Sequence, residues 1–305
     1  MTVTDTGRSG VVHAEGLAWQ HRGKRIVDDV HLSVHAGVVT GFLGANGAGK
    51  TTTLRLMLGL TRGEGSTTYF GRPLTLWRNP ARIVGVVMGG VAGHPSHTLA
   101  QHLRMVAAGV GVPDSRVRDV IEQVGLTSTA DKRLEALSLG MAQRAGIAQA
   151  LLGDPPVLIL DEPANGLDPH SIRWLRDTLR QLADEGKAVL VSSHLLAEMQ
   201  QLADRVVVLA RGRVVAETTI EALARHGSQV TVESPRIGEL AAPVEQLGGT
   251  VQLLDDGRAA IRGVTRFQVG DLAGARGIPL HWLAEQATSL EDYYLSVAEE
   301  EFRIS

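Results

Sequence analysis

Apolar and polar positions alternate through His31-Leu32-Ser33-Val34 within residues 31–42, then run apolar through Val38 and Val39 to Phe42. This predicts strands that lead into a glycine-rich turn, followed by a helix carrying Leu54, Leu56, Met57 and Leu60. Thr98 and Gln101 have capping-box spacing and open a helix with Leu99, Leu103 and Val106 on one face. Val117, Val120, Ile121 and Val124 mark another, so residues 95–155 are expected to be helical. Two short apolar runs, 157–161 and 188–192, predict fully buried strands. Between them Ile172, Leu175, Leu179 and Leu182 form a helical stripe, with Asp168 as N-cap, Pro169 as first residue and Gly186 as stop. Strand, helix and strand in this order imply a parallel sheet with right-handed crossovers.

The pattern changes beyond about Arg225. Gln229–Val232 reads as a strand, and Ile237, Leu240, Val244 and Leu247 as a helix face. Asp255-Asp256-Gly257 reads as a hairpin turn between Val251–Leu254 and Ala259–Val264. Leu280–Leu283 reads as a short strand after Pro279, and a last helix is expected from Thr288, with Glu291 completing a capping box. The expectation is a first domain at 11–225, with its helical part at about 95–155, and a small α+β domain at 226–305.

At 305 residues, 44% hydrophobic and 21% charged, the chain has enough apolar content for buried cores, which excludes global disorder. A net charge of −3 gives no basic field to attract nucleic acid. Cysteine is absent, so disulfides, thiolate catalysis and Cys-ligated zinc are excluded. No apolar run approaches the roughly 18 residues of a membrane span. Met1–Gly10 is polar and lacks the apolar core of a signal peptide. Any work on a membrane is therefore expected to go through a partner.

Gly44-Ala45-Asn46-Gly47-Ala48-Gly49-Lys50-Thr51 fits the phosphate-binding loop at every fixed position, with a strand before it and a helix after. Glycines let successive backbone N–H groups turn inward around phosphates, and the helix N-terminus adds partial positive charge. Lys50 suits the β- and γ-phosphates, the Thr51 hydroxyl suits Mg²⁺, and Thr52 is expected to bind the nucleotide with the loop. Val157–Leu160 delivers Asp161 and Glu162 to the C-terminal edge of the sheet, where open α/β sheets bind ligands. Asp161 suits a metal partner, and Glu162 a general base that orients water. Ser138, in Leu137-Ser138-Leu139-Gly140-Met141, is on its own an N-cap, but a helix N-terminus with a hydroxyl is also an anion site. His194 follows a buried strand, where a lone histidine is more often structural.

The order of these segments resembles the ATP-binding cassette (ABC) ATPases. Leu137–Met141 is similar to that family's signature sequence, Ala164–Asp168 to its D-loop, and Ser192-Ser193-His194 to its switch histidine. The resemblance covers roughly residues 11–220. It implies an α/β fold, a P-loop ABC-type nucleotide-binding domain with a helical subdomain. It also implies a homodimer of cassettes closing head to tail on two ATP and Mg²⁺, each ATP lying between one phosphate loop and the partner's Ser138–Gly140 segment. Glu162 would then polarise water, His194 would contact the γ-phosphate, and Asp168 would link the two sites. His21 falls at the adenine-stacking position, with Trp19 competing. In the family a glutamine usually follows the strand equivalent to Ile83–Met88, and here that position is Gly89.

One cassette with a small C-terminal domain resembles the ATPase subunits of bacterial drug and lipid exporters, and Ser289–Tyr294 is similar to a segment near their C-terminus. The implied protein energises a separate membrane permease, binds no nucleic acid, and lies in the cytoplasm against the inner face of the plasma membrane. A soluble ABC-type mechanical ATPase is the competing reading, although the coiled-coil insertion, second cassette or basic arm of such proteins is not visible.

Overall fold

A computed structural model describes residues 10–226, 229–254, 257–286 and 289–295. The chain divides into two compact units between Thr218 and Thr219, earlier than the boundary expected at 225.

The first unit opens with a long hairpin, β1 (Gly10–His21) and β2 (Lys24–His35), paired antiparallel. Strand β3 (Val39–Leu43) is buried along its whole length and runs into the glycine-rich loop and α1 (Lys50–Met57). Next come β4 (Glu64–Tyr69), β5 (Arg72–Pro73) and β6 (Val84–Met88). Three helices follow, α2 (Leu99–Val110), α3 (Asp114–Gln123) and α4 (Leu139–Leu151). Strand β7 (Val157–Asp161), helix α5 (Pro169–Asp184) and strand β8 (Ala188–Ser193) form the expected crossover. Helix α6 (Leu196–Leu202) and β9 (Arg205–Ala210) follow, and β10 (Arg213–Thr219) runs to the division between the units.

Two sheets result, with orders β2-β1-β4-β5 and β10-β9-β3-β8-β7-β6. From β9 to β6 every pair is parallel, as apolar strands with both faces covered require. The core lies between the sheets, around α1: Leu54 and Met57 pack with Val12, Val30, Val34, Phe42, Tyr69 and Ile159. Burying Tyr69 pushes its phenol pKa well above the ordinary value, and its hydroxyl donates to the Met57 carbonyl. Because β3, β7 and β8 are parallel neighbours, the chain leaves all three at one edge of the sheet. That edge carries the phosphate loop, Asp161-Glu162 and His194.

Leu60 is not on α1. Gly59 adopts φ +69°, which ends the helix, and Leu60 emerges 66% exposed. The Thr98–Gln101 capping box forms with both reciprocal hydrogen bonds, and Asp168 caps α5 through the Ser171 N–H.

The second unit contains α7 (Ile220–His226), β11 (Gln229–Glu233), α8 (Ala241–Gln246), β12 (Thr250–Leu253), β13 (Arg258–Arg262), α9 (Arg266–Arg276) and β14 (Trp282–Gln286). Its sheet has the order β12-β13-β11-β14, with antiparallel pairing. Val230, Val232 and Ile261 pack with Val244 of α8 and Val269 of α9. The helix expected through Leu247 splits into a 3₁₀ turn, Ile237–Leu240, and α8; Gly248 at φ +82° follows, leaving Leu247 exposed. The last strand begins at Trp282 rather than Leu280. Asp255, Asp256 and Thr288 lie outside the described residues. The last helical stretch is capped by Ser289, which exchanges hydrogen bonds with Asp292 and so takes the role expected of Thr288 and Glu291. These bonds hold the Asp292 carboxyl below its ordinary pKa. Among the described residues no helix is long and apolar enough to cross a membrane.

Candidate functional site

Glycine is required at both ends of the loop between β3 and α1. A Cβ at Gly44 would sit 2.5 Å from the Leu209 carbonyl oxygen, because β9 runs alongside. Gly49 adopts φ +109° and approaches the Ile26 carbonyl oxygen, which a Cβ would meet at 2.6 Å. At α1 no side chain caps the N-terminus and no acidic residue stands in the first turn. Its leading N–H groups are therefore left for an external anion.

Lys50 is the first residue of α1 and its side chain is only 6% exposed. Its Nζ donates to the Gly44 carbonyl at 2.6 Å and the Ala45 carbonyl at 3.3 Å, and lies 3.1 Å from Glu162 Oε1. The other carboxylate oxygen, Glu162 Oε2, lies 2.8 Å from His194 Nδ1. Glu162 is thus clasped between the loop lysine and the histidine at the end of β8. Its backbone has φ +48°, a left-handed conformation that is uncommon for a non-glycine residue.

Asp161 ends β7 and is 9% exposed. Its Oδ2 accepts from the Thr51 hydroxyl at 2.7 Å, and its Oδ1 accepts from the Ser192 hydroxyl at 2.6 Å. Both carboxylate oxygens of Asp161 therefore act as acceptors, one for each hydroxyl. Because Thr51 gives its proton to Asp161, the lone pairs of its oxygen remain for another partner.

A cavity of about 230 Å³ gathers Asn46, Gly47, Gly49, Lys50, Thr51, Thr52, Glu162 and His194. Asn165, within the Ala164–Asp168 segment, also lines it, as does Ile26 of β2, which no sequence motif marks. A second groove, among Leu58, Leu74, Val84 and Val110, is larger, about 440 Å³, but mainly apolar and lined by none of these residues. Gly44 and Ala48 lie in the loop without lining the cavity.

The other expected site residues lie apart. His21 ends β1, and its ring stacks on Trp19 at 5.6 Å with planes 22° apart. It does not line the cavity, and neither does Trp19. Ser138 is exposed and caps α4, accepting from the Met141 N–H at 3.3 Å. Asp168 is exposed and caps α5, and the Ser171 N–H holds its carboxyl below the ordinary pKa. These two caps are neighbours. A Cβ at Gly140 would lie 3.0 Å from Ser171 Oγ, and one at Gly166 would lie 2.8 Å from Leu139 Cδ2.

Gly89 follows β6 at φ +82° and offers no side chain. Gly90 beside it serves packing: a Cβ at Gly146 of α4 would lie 2.8 Å from the Gly90 carbonyl carbon. The Val91 N–H bonds the Ala142 carbonyl at 3.0 Å, tying this loop to α4.

This arrangement defines a phosphate-binding α/β nucleotide site. Residues 27–165 match the family described as ABC transporter, and residues 228–291 match a domain of unknown function, DUF8746. The chain is 43% identical over 214 residues to the uncharacterised ABC transporter ATP-binding protein YhcH of Bacillus subtilis, covering 67% of this chain and 68% of that one. It is 33% identical over 298 residues to the bacitracin transport ATP-binding protein BcrA of Enterococcus faecalis, covering 93% of this chain and 95% of that one. A solved ATP-binding subunit of an ABC transporter superposes with a TM-score of 0.63 at 28% identity, covering 70% of this chain and 92% of that one. The chain belongs to the ABC transporter ATP-binding proteins. It is an ATP-binding, ATP-hydrolysing cassette with the P-loop α/β fold of that family.

Proposed function

We propose that this chain powers an exporter, pairing with a separate membrane permease whose cargo is an antibiotic, drug or lipid-like molecule. Similarity along nearly its whole length to a bacitracin transport ATP-binding protein supports this reading, because it includes the second unit as well as the cassette. The chain would then act at the cytoplasmic face of the plasma membrane, as a homodimer of cassettes.

The observation that carries the chemistry is Glu162 held between Lys50 and His194 at the mouth of the phosphate loop. The loop N–H groups, Lys50 and the start of α1 bind the phosphates of ATP. Lys50 exchanges its Glu162 contact for a phosphate oxygen, which releases the carboxylate to face water. Glu162 then orients a water molecule and takes its proton as that water attacks the γ-phosphorus, while the bond to the β,γ-bridging oxygen breaks and ADP leaves with inorganic phosphate as the other product. His194 lies beside Glu162 and donates to a γ-phosphate oxygen. Asn46, Gly47, Thr52 and Ile26 shape the cavity around the nucleotide, and His21 contributes at the adenine end.

The hydroxyl and carboxylate oxygens of Thr51 and Asp161 are the hard donors that suit Mg²⁺, and Thr51 Oγ1 has its lone pairs free. Thr51 would hold the ion, with Asp161 behind it. When bound, Mg²⁺ neutralises charge on the phosphate oxygens. Ser138 and Gly140 would complete the site of a partner chain, with Asp168 at the junction.

Two measurements test the proposal. Lys50→Ala removes the cation facing the phosphates and should lower turnover by at least about 10²-fold. Undiminished hydrolysis by Lys50→Ala would remove the site assignment. Tagged wild-type chain, extracted from its native membranes in mild detergent, should co-purify with a multi-span membrane protein. Recovery from soluble extract alone would remove the exporter reading.

A further inference from the structure

The side chain joining the two acidic residues is neither in the phosphate loop nor on β7. Ser192 lies on β8, in register with Asp161 across the parallel ladder, and is fully buried. Its hydroxyl donates to Asp161 Oδ1 at 2.6 Å and accepts from the Glu162 N–H at 2.9 Å. The same N–H also lies 3.2 Å from the Ser192 carbonyl oxygen. A serine hydroxyl has one proton and two lone pairs, so these two bonds fix its direction. The Glu162 N–H points at the oxygen, and the oxygen's proton points at Asp161.

We propose that Ser192 is a positioning residue that sets Asp161 and Glu162 at the same time, through this one hydroxyl. The inference rests on the roles given above to those two carboxylates. One consequence falls on Asp161. Two hydroxyls, of Thr51 and Ser192, fix the carboxylate plane from opposite oxygens, so Asp161 faces Thr51 in a single orientation. The other falls on Glu162. A left-handed φ of +48° is uncommon for a non-glycine residue, and at Glu162 the N–H is anchored by the oxygen and the carbonyl of Ser192. That backbone turn aims the Glu162 side chain back toward Lys50 and His194. Valine or alanine at 192 would satisfy the apolar strand equally well, yet a hydroxyl is buried here with both its bonds made. Supporting groups of this kind decide whether a reactive pair is held to within a fraction of an ångström.

The test is Ser192→Ala in the full chain, with Glu162→Gln alongside. Two quantities are read: steady-state kcat, and the gain in ATP affinity on adding Mg²⁺, taken as the Kd in EDTA divided by the Kd in Mg²⁺. The second is a ratio within one sample, so the folded fraction does not enter it. The expected result is a kcat about tenfold lower and a Mg²⁺-dependent gain several-fold smaller. The Kd in EDTA should stay unchanged or fall, since Lys50 and the loop are untouched and a loosened Glu162 competes less well for Lys50. An unchanged kcat would overturn the inference. So would a lower kcat with an unchanged Mg²⁺-dependent gain, which would make Ser192 a packing residue only. Wild-type turnover in Glu162→Gln would instead remove the underlying roles of the acidic pair. Loss there, with wild-type behaviour in Ser192→Ala, would remove the present inference alone.

Discussion

Glu162 Oε1 lies 3.1 Å from Lys50 Nζ, so the proposed general base and the proposed phosphate-binding cation are each other's partner. Lys50 is almost fully buried while Glu162 is 22% exposed, so the pair sits at the rim of the cavity rather than in the core. A triphosphate entering the loop competes with the Glu162 carboxylate for the same ammonium group.

Glu162→Gln should therefore separate binding from chemistry. Loss of the base should lower kcat by about 10²–10⁴-fold. ATP affinity should hold or rise, because a neutral amide competes less well for Lys50. The variant should also accumulate as an ATP-bound dimer on size exclusion. Turnover at the wild-type rate would make Glu162 a surface carboxylate.

The Asp168 cap gives a pH signature. The Ser171 N–H lowers the folded-state pKa of this carboxyl below its unfolded value. Such a group stabilises the fold at pH above its unfolded pKa, and the contribution is lost as pH falls through the folded value. Asp168→Ala should thus melt below wild type at neutral pH, and the difference should narrow as the pH drops below about 4. A constant gap across that range would mean that the ionised cap is not the cause.

Much of this architecture can be read from the chain because its signals are local. Four apolar residues before Asp161 specify a buried strand, and an Asp-Pro start specifies α5. The loop motif places Lys50 and Thr51 without any tertiary information. The Ser192 bonds are different in kind. They depend on the register of β7 against β8, and no spacing in the sequence encodes which residue of one strand lies beside which of the other. Ile26 reaches the cavity for a similar reason, through the approach of β2 to Gly49. Leu60 falls off the expected helix because helical periodicity continues past Gly59, whose left-handed backbone ends the helix.

Gly146 should tolerate no side chain. Its missing Cβ is what lets α4 lie against the Gly89-Gly90 loop, and the atom it would meet is backbone. Gly146→Ala must push the helix from the loop, at a cost of about 1–3 kcal/mol, despite alanine's better helix propensity. Thermal unfolding should show a clear fall in Tm. A stability equal to or above wild type would show that the helix yields freely there.

The last prediction is that the active site is shared between chains. Within one chain, the cavity brings together Lys50, Thr51, Glu162 and His194, but Ser138 and Gly140 do not line it. Ser138 instead stands exposed at the start of α4, beside the Asp168 cap. An exposed helix N-terminus with a hydroxyl is suited to a phosphate that arrives from outside, on a second copy of the chain. Closure then requires ATP to be on the surface first, so association should rise with ATP and fall after hydrolysis. The decisive experiment mixes Lys50→Ala chains with Ser138→Arg chains, each inactive alone. A mixed dimer holds one composite site with both lesions and one with neither, so turnover should return to a fraction of wild type. Two cassettes with separate sites would instead leave every site with one lesion, and no mixing ratio would restore activity. Full activity of Ser138→Arg by itself would place Ser138 outside the reaction and make it an N-cap only.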